Sequence, residues 1–94
     1  MNIIIDGYNL IGIYHNNMDK ERKRLVNLLS KYKKIKGYPI TVVFDGYGGI
    51  SAKDITKFEG GIRIIFSGIG KKADDVIKEI ILKEEKYFVV VSSD

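Results

Sequence analysis

Cysteine is absent from the 94-residue sequence. Its absence excludes disulfides, thiolate nucleophiles and thiolate metal sites, and it fits a protein of a reducing compartment. No apolar run approaches the ~18 residues that a membrane-spanning helix needs. An acid directly follows the first short apolar run, whereas a secretory signal sequence has a basic start. These absences predict a cytoplasmic protein with no membrane partner.

Histidine occurs only once. His15 lies in a polar stretch where no other residue gives zinc-ligand spacing, and no Ser–His–Asp arrangement is evident. Internal repeats, low-complexity segments and linkers are also absent, so the length predicts one domain over residues 1–94. Catalysis by a nucleophilic side chain is disfavoured, which leaves carboxylates as the candidate reactive groups.

Basic residues outnumber acidic ones, which gives a formal net charge of +4 and a pI of about 9.3. A mild excess of lysine serves solubility as well as nucleic-acid binding. The charge therefore becomes informative only if the acids cluster in one place and the bases lie elsewhere.

Three apolar runs, each typical of a strand, end at or near an aspartate. A continuous β-branched run is typical of a strand buried on both faces, as in a parallel sheet. Two of the runs stop directly at Asp6 and Asp45, and the third reaches Asp94 after two serines. Because parallel strands end at the same sheet edge, where open α/β sheets bind ligands, the sequence predicts a carboxylate cluster there.

Helical periodicity predicts helices over residues 18–36 and 72–86, and a further apolar run predicts a strand over residues 62–66. The resulting β-α-β-β-α-β order predicts an α/β fold, an open, mostly parallel four-stranded sheet with flanking helices. Residues 51–59 match no element securely, and a short helix is one interpretation. One apolar stripe marks the first helix, formed by Leu25, Leu28, Leu29, Tyr32 and Ile35.

Sheet order decides which acids meet. If the second and third strands lie on one side of the first and the fourth lies on the other, a crevice opens between the first and fourth strands. Asp6 and Asp94 then flank the crevice, Asp45 lies one strand away, and Asp74 faces it from the start of the second helix. Clustered carboxylates repel each other, and Mg²⁺ or Mn²⁺ relieves that repulsion and can promote phosphoryl displacement. The alternative interpretation is structural, because acids also favour turns and first helical turns.

Four motifs resemble a known family. They read Ile-Ile-Asp-Gly-Tyr-Asn, Val-Val-Phe-Asp-Gly, Phe-Ser-Gly-Ile-Gly-Lys-Lys-Ala-Asp-Asp-Val-Ile and, at the end, Val-Val-Val-Ser-Ser-Asp. The first is similar to the motif of the NYN domain, a branch of the PIN-like metal-dependent nucleases, and the set resembles its YacP-like group. The resemblance covers almost the whole chain. It implies a Rossmann-like three-layer fold and a bacterial endoribonuclease, with ribosome-associated RNA as a candidate substrate.

The resemblance also implies site residues. Asn9 matches the asparagine that orients a metal-bound water or a phosphate, and Asp75 is a possible substitute for its neighbour Asp74. YacP-like proteins continue well past the last aspartate, so the resemblance implies that residues 1–94 correspond to the domain without the family's C-terminal part. The acids that match the family's Mg²⁺ or Mn²⁺ ligands are Asp6, Asp45, Asp74 and Asp94.

A metal-dependent endoribonuclease is the first hypothesis, and a non-catalytic RNA-binding module of the same fold is the alternative. A phosphoacceptor signalling domain ranks last, because it needs a lysine after a fifth strand. The predicted fourth strand, residues 87–91, lacks the lysine, proline or bulge that protects an edge, which predicts a homodimer through it. Candidate RNA contacts are Lys71, Lys72, Arg22, Lys23 and Tyr8.

Overall fold

The computed structural model describes residues 1–8, 18–45 and 52–91. In these ranges one five-stranded sheet lies between two helices, in the order β3-β4-β2-β1-β5. β1, β2, β4 and β5 are parallel, and β3 pairs antiparallel with β4. The elements are β1 (Asn2–Asp6), α1 (Met18–Lys36), β2 (Ile40–Phe44), β3 (Ile55–Glu59), β4 (Ile62–Phe66), α2 (Ala73–Glu84) and β5 (Phe88–Val91).

Each helix closes a separate hydrophobic cluster on one face of the sheet. Alternate residues of a strand point to opposite faces, so Ile4 packs towards α2 while Ile5 packs towards α1. Val43 and Phe44 divide in the same way. This burial on both sides explains the continuous apolar runs. The predicted α/β fold with a mostly parallel sheet and flanking helices is confirmed.

The parallel strands take the order on which the predicted crevice depends. β2 and β4 lie on one side of β1, and β5 lies on the other. The chain therefore reverses direction between β1 and β5, which is the arrangement that places a crevice at the carboxyl edge of such a sheet.

The predicted number of strands was wrong, because residues 55–59 form β3. All five of its residues are exposed, so this edge strand carries no buried apolar run. Its signal lay in the following two glycines, since Gly60 and Gly61 both have positive φ, as a tight hairpin turn between antiparallel strands requires. The extra strand does not favour a phosphoacceptor domain, because it is an antiparallel strand before β4 rather than a strand after the predicted fourth.

The predicted apolar stripe of α1 is only partly buried. Val26 is buried and Leu25 and Leu29 are partly buried, but Leu28 and Ile35 are 65% and 78% exposed. Tyr32 is also exposed.

Polar contacts with the β3–β4 turn explain this orientation of α1. Ser30 Oγ donates to the Gly60 carbonyl at 2.7 Å, and Lys33 Nζ donates to the Gly61 carbonyl at 2.8 Å. Both residues lie on the same face of the helix as Val26, and their hydrogen bonds hold that face against the sheet and the β3–β4 hairpin.

The second helix follows its predicted pattern, although it begins and ends slightly inside the predicted range. Ala73, Val76, Ile77 and Ile80 are buried, and Ile81 is partly buried against the same cluster. Neither α1 nor α2 is apolar enough over sufficient length to cross a membrane.

Candidate functional site

Asp6 and Asp45 lie at the carboxyl edge of the sheet, on the face that α2 covers. Asp6 is the last residue of β1 and is only 8% exposed. In the β1–β2 ladder it lies opposite Val43, and Asp45 follows Val43 by two residues. Strand alternation therefore places both carboxylates on one face, next to each other across neighbouring strands.

The turn after Asp6 requires glycine. A Cβ atom at Gly7 would overlap the ring of Phe44, which is fully buried under α1. The next residue, Tyr8, packs on the same ring with a centroid distance of 5.0 Å. This close approach holds the backbone after Asp6 against β2 and explains the Asp-Gly pair without reference to function.

Asp45 caps α2 from the neighbouring strand. Its Oδ1 accepts a hydrogen bond from the Ala73 backbone N–H at 2.5 Å. The residue at the N-cap position is Lys72, whose side chain has no acceptor to offer. Asp45 therefore fixes the N-terminus of α2 at the sheet edge through its Oδ1 atom.

Asp74 and Asp75 differ in whether their side chains cap the start of α2. The Asp75 Oδ2 accepts from the backbone N–H of Lys72 at 3.1 Å, which closes the first turn. Asp74 is exposed at the second helical position, next to the residue that Asp45 holds. Of the two candidates, Asp74 is the carboxylate that this helix start does not use for capping.

The predicted set of metal ligands is only partly described. Asn9 and Asp94 lie outside the described residues. Within residues 1–8, 18–45 and 52–91, no three histidine, cysteine or acidic side chains group closely enough to hold a metal ion. Asp6 and Asp45 supply hard oxygen donors that suit Mg²⁺ or Mn²⁺, but the described donors do not complete a site alone.

Lys71 pairs with two carboxylates of the same chain at the protein surface. Its ammonium contacts Asp54 Oδ2 at 3.0 Å and Glu79 Oε2 at 2.6 Å. The hydrogen bonds that Lys71 donates to Glu79 and, with a smaller effect, to Asp54 raise the pKa of Lys71 above its ordinary value of 10.5. Among the predicted RNA contacts, Lys71 is thus held by carboxylates, whereas Lys72 is exposed on the helix start.

Arg22 and Tyr8 contact each other on the α1 face. Arg22 donates through Nη1 to the Tyr8 hydroxyl at 2.9 Å and also pairs with Asp19. Lys23 is exposed on the next position of the helix. Tyr8 is half-buried against Phe44, so its ring is a packing element rather than an open stacking surface.

Sequence reasoning missed the contributions of Asp54 and Lys57. Asp54 binds Lys71 and also accepts from the Gly68 backbone N–H at 2.8 Å. Lys57 lies over the Phe66 ring, 5.6 Å from its centroid. Both residues belong to the segment at β3, and the Gly-Gly turn was the signal that could have placed that segment beside β4.

The fold is similar to two crystal structures of Rae1 (YacP) from Bacillus subtilis, one of them a tryptophan-to-leucine variant. The TM-scores are 0.79 for the unmodified protein and 0.78 for the variant, each at 24% sequence identity. Each comparison covers 100% of this chain, but only 59% and 60% of the respective neighbour. A likeness at this identity shows the fold alone, and this chain spans about 60% of its neighbours' length.

A comparison with curated proteins found no match. The model of the YacP-like NYN domain matches residues 3–94, which is nearly the whole sequence. That match includes the motifs at β1, β2, α2 and β5, and the parallel sheet carries them in the expected order. The chain therefore belongs to the YacP-like NYN family.

Proposed function

We propose that this chain is a metal-dependent endoribonuclease that cleaves RNA phosphodiester bonds at the carboxyl edge of its sheet. The observation that carries the proposal is the meeting of Asp6, Asp45 and the N-terminus of α2 on one face of that edge. The NYN family has a nuclease-type fold, which supports this reaction class. Ribosome-associated RNA is the candidate substrate, and the cytoplasm is the proposed location.

Carboxylate oxygens of this site suit a hard divalent cation. Asp6, the Oδ2 atom of Asp45 and Asp74 would hold Mg²⁺ or Mn²⁺ together with Asp94, and Asn9 would orient a water or a phosphate. A bound cation of this kind activates water and stabilises charge in phosphoryl displacement. The protein's own part is to keep Asp6 buried beside β2 and to keep Asp45 fixed against the start of α2.

Cations around the edge would hold the RNA backbone. Lys72 is exposed at the start of α2, and Arg22 and Lys23 lie on the first turns of α1. The formal charge of +4 favours a polyanion in general. The acids at the edge and the bases beside it form the separation of charge that a nuclease needs.

A non-catalytic RNA-binding module of the same fold is the second candidate. The exposed cations Lys23 and Lys72 and the formal charge of +4 would serve RNA binding without cleavage equally well. Cleavage activity separates the two candidates.

The first test is cleavage by the native chain and by Asp6→Asn, with Mn²⁺ and mixed single-stranded and structured RNAs. Asn keeps the shape of the side chain but removes the charge that a cation requires. We expect a folded variant with a loss of about 100-fold or more, the scale of losing one preorganised electrostatic group. Glu85→Gln, at the far end of α2, is the control and retains activity. Full activity in Asp6→Asn would refute the assignment of the site.

The second test is thermal unfolding with and without millimolar Mg²⁺ or Mn²⁺. A ligand that binds only the folded state raises its stability by mass action, so the melting temperature of the native chain should rise. The rise should disappear in a chain that carries both Asp6→Asn and Asp74→Asn. An unchanged melting temperature for the native chain would argue against a formed acidic site, and a rise that survives both substitutions would locate the cation elsewhere.

A further inference from the structure

A cleft of about 110 Å³ lies on the α1 face, between the first turns of α1 and strand β3. Its floor is formed by the last residues of two strands, Phe44 and Phe66, and its walls carry Arg22, Lys23 and Lys57. Phe44 and Phe66 are the carboxyl-terminal residues of β2 and β4, so the cleft opens near the edge that carries Asp6 and Asp45. It lies on the opposite face of the sheet from α2.

The charges of the cleft favour an anion. Three cationic side chains and two acids, Asp19 and Glu59, line it. Both acids pair internally, Asp19 with Arg22 and Glu59 with Lys57 at 3.3 Å. Lys23 is exposed beside them, so a phosphate can reach its ammonium group from solvent. Lys57 is half-exposed and would share its charge between Glu59 and the phosphate.

The same cleft presents one planar cationic group, the Arg22 guanidinium, beside the partly buried ring of Phe66. The Arg22 guanidinium lies 5.8 Å from the Phe66 centroid, and Lys57 Nζ lies 5.6 Å from it. Arg22 is held in place through Tyr8 and Asp19, so its planar group is fixed before a ligand arrives. Guanidinium planes and aromatic rings are the surfaces on which proteins stack unpaired bases.

An aromatic row connects this cleft to the turn after Asp6. Phe66 stacks on Phe44 at 5.5 Å between centroids, and Phe44 packs on Tyr8 at 5.0 Å. Tyr8 follows Asp6 by two residues. Phe44 is fully buried, so this row is an internal packing contact that fixes the floor of the cleft relative to the turn after Asp6.

We propose that this cleft binds one unpaired nucleotide of a single-stranded RNA, next to the phosphate that the carboxylate edge holds. The inference rests on the proposed function and names a second contact for the same substrate. Lys23 and Lys57 bind the phosphate of that nucleotide, and its base packs against Arg22 and the exposed part of Phe66. A base can enter the cleft only when it is unstacked from its neighbours, which selects single strands over duplex.

The test is fluorescence anisotropy with a labelled ten-nucleotide single-stranded RNA, over a series of salt concentrations. All chains carry Asp6→Asn so that binding is measured without cleavage. For Lys23→Ala with Lys57→Ala, the slope of log affinity against log salt should fall by about 0.7 per lysine, and binding at 0.1 M salt should weaken about tenfold. The control pair, Lys34→Ala with Lys78→Ala, removes two exposed lysines from the outer faces of α1 and α2.

Phe66→Leu adds a test of the base contact. The variant keeps an apolar side chain on the floor of the cleft, and its melting temperature checks the fold. Binding should weaken about fivefold or more, while the salt slope stays unchanged, because base stacking carries no charge.

The outcomes separate the two proposals. Equal losses in the cleft pair and the control pair, or no loss in the cleft pair, would overturn the cleft as a binding site. Cleavage by the native chain would then leave the proposed function intact. A native chain that neither binds nor cleaves RNA would overturn both.

Discussion

At the scale of single residues, Asp45 combines a structural role with a proposed functional one. A lysine at the N-cap cannot accept a hydrogen bond, so the first turn of α2 depends on Asp45 and Asp75. One oxygen of Asp45 serves the helix, and the other is the one that we propose as a cation ligand. The acid at the end of β2 is thus explained in part by helix capping, which the sequence pattern alone could not distinguish from metal binding.

Two substitutions of Asp45 separate these roles. Asp45→Ala removes the acceptor and should cost about 1 kcal/mol of unfolding free energy, as losing a cap does. Asp45→Asn retains an oxygen acceptor and should stay within about 0.5 kcal/mol of the native chain, yet it should lose cation-dependent stabilisation. Urea unfolding with and without Mn²⁺ measures both. An Asp45→Ala chain as stable as the native one would show that the bond to Ala73 contributes nothing.

At the scale of elements, sequence reasoning succeeded where burial follows a simple period. β1, β2 and β4 are apolar runs buried on two faces, and α2 buries one regular stripe. The sequence did not predict β3, because all residues of this edge strand are exposed and it has no pattern of buried apolar residues.

The orientation of α1 could not be predicted for the same reason. Its apolar residues allow several faces, and the contacts that select one are Ser30 and Lys33 with the β3–β4 turn. Because the sequence did not predict β3, it could not predict the turn that Ser30 and Lys33 contact. It could not predict the cleft beside Lys57 for the same reason.

The candidate site was predictable to a similar extent. Asp6, Asp45 and the start of α2 reach one edge because parallel strands have their carboxyl ends at the same edge of a sheet. The pairing of Lys71 with Asp54 and Glu79 depends on distant segments that meet only in the folded chain. The Lys71-Lys72 pair before α2 could not show from sequence alone that Lys71 forms ion pairs with two carboxylates.

The Lys71 bridge makes a prediction at this scale, because it joins the segment before β3 to α2. Its folded-state pKa lies above 10.5, so its stabilising effect is complete below the unfolded pKa and is lost as pH rises through the folded value. Lys71→Met should therefore melt below the native chain at pH 8, and the difference should shrink as pH rises past 10.5. Melting curves over a pH series measure this, with Lys78→Met as the control. A difference that stays constant above pH 11 would contradict the bridge.

At the scale of the whole molecule, the two edges of the described sheet differ in their protection. β3 carries Lys57 within the strand, and charged residues on an edge discourage pairing with another chain. β5 consists of Phe88–Val91 and has no charged residue or proline. It is the outermost strand beside β1, and within the described ranges no strand pairs with its free side.

Self-association through β5 is the consequence that we predict from this edge. Val89 and Val90 are 44% and 48% exposed, so pairing would cover apolar side chains as well as backbone groups. A two-fold axis beside β5 would pair the free edge of β5 in one copy with the same edge in the other, so a homodimer is the simplest product. A monomer with an otherwise covered β5 edge is the alternative.

Light scattering after size exclusion at tens of micromolar protein decides between them. We expect a dimer for the native chain and a monomer for Val90→Lys, because a lysine on an edge strand opposes pairing. Leu82→Lys is the matched control, since Leu82 is 79% exposed but lies on the outer face of α2 rather than on the edge. This variant should remain a dimer. A native monomer would rule out the association, and a dimer that persists in Val90→Lys would place the contact away from β5.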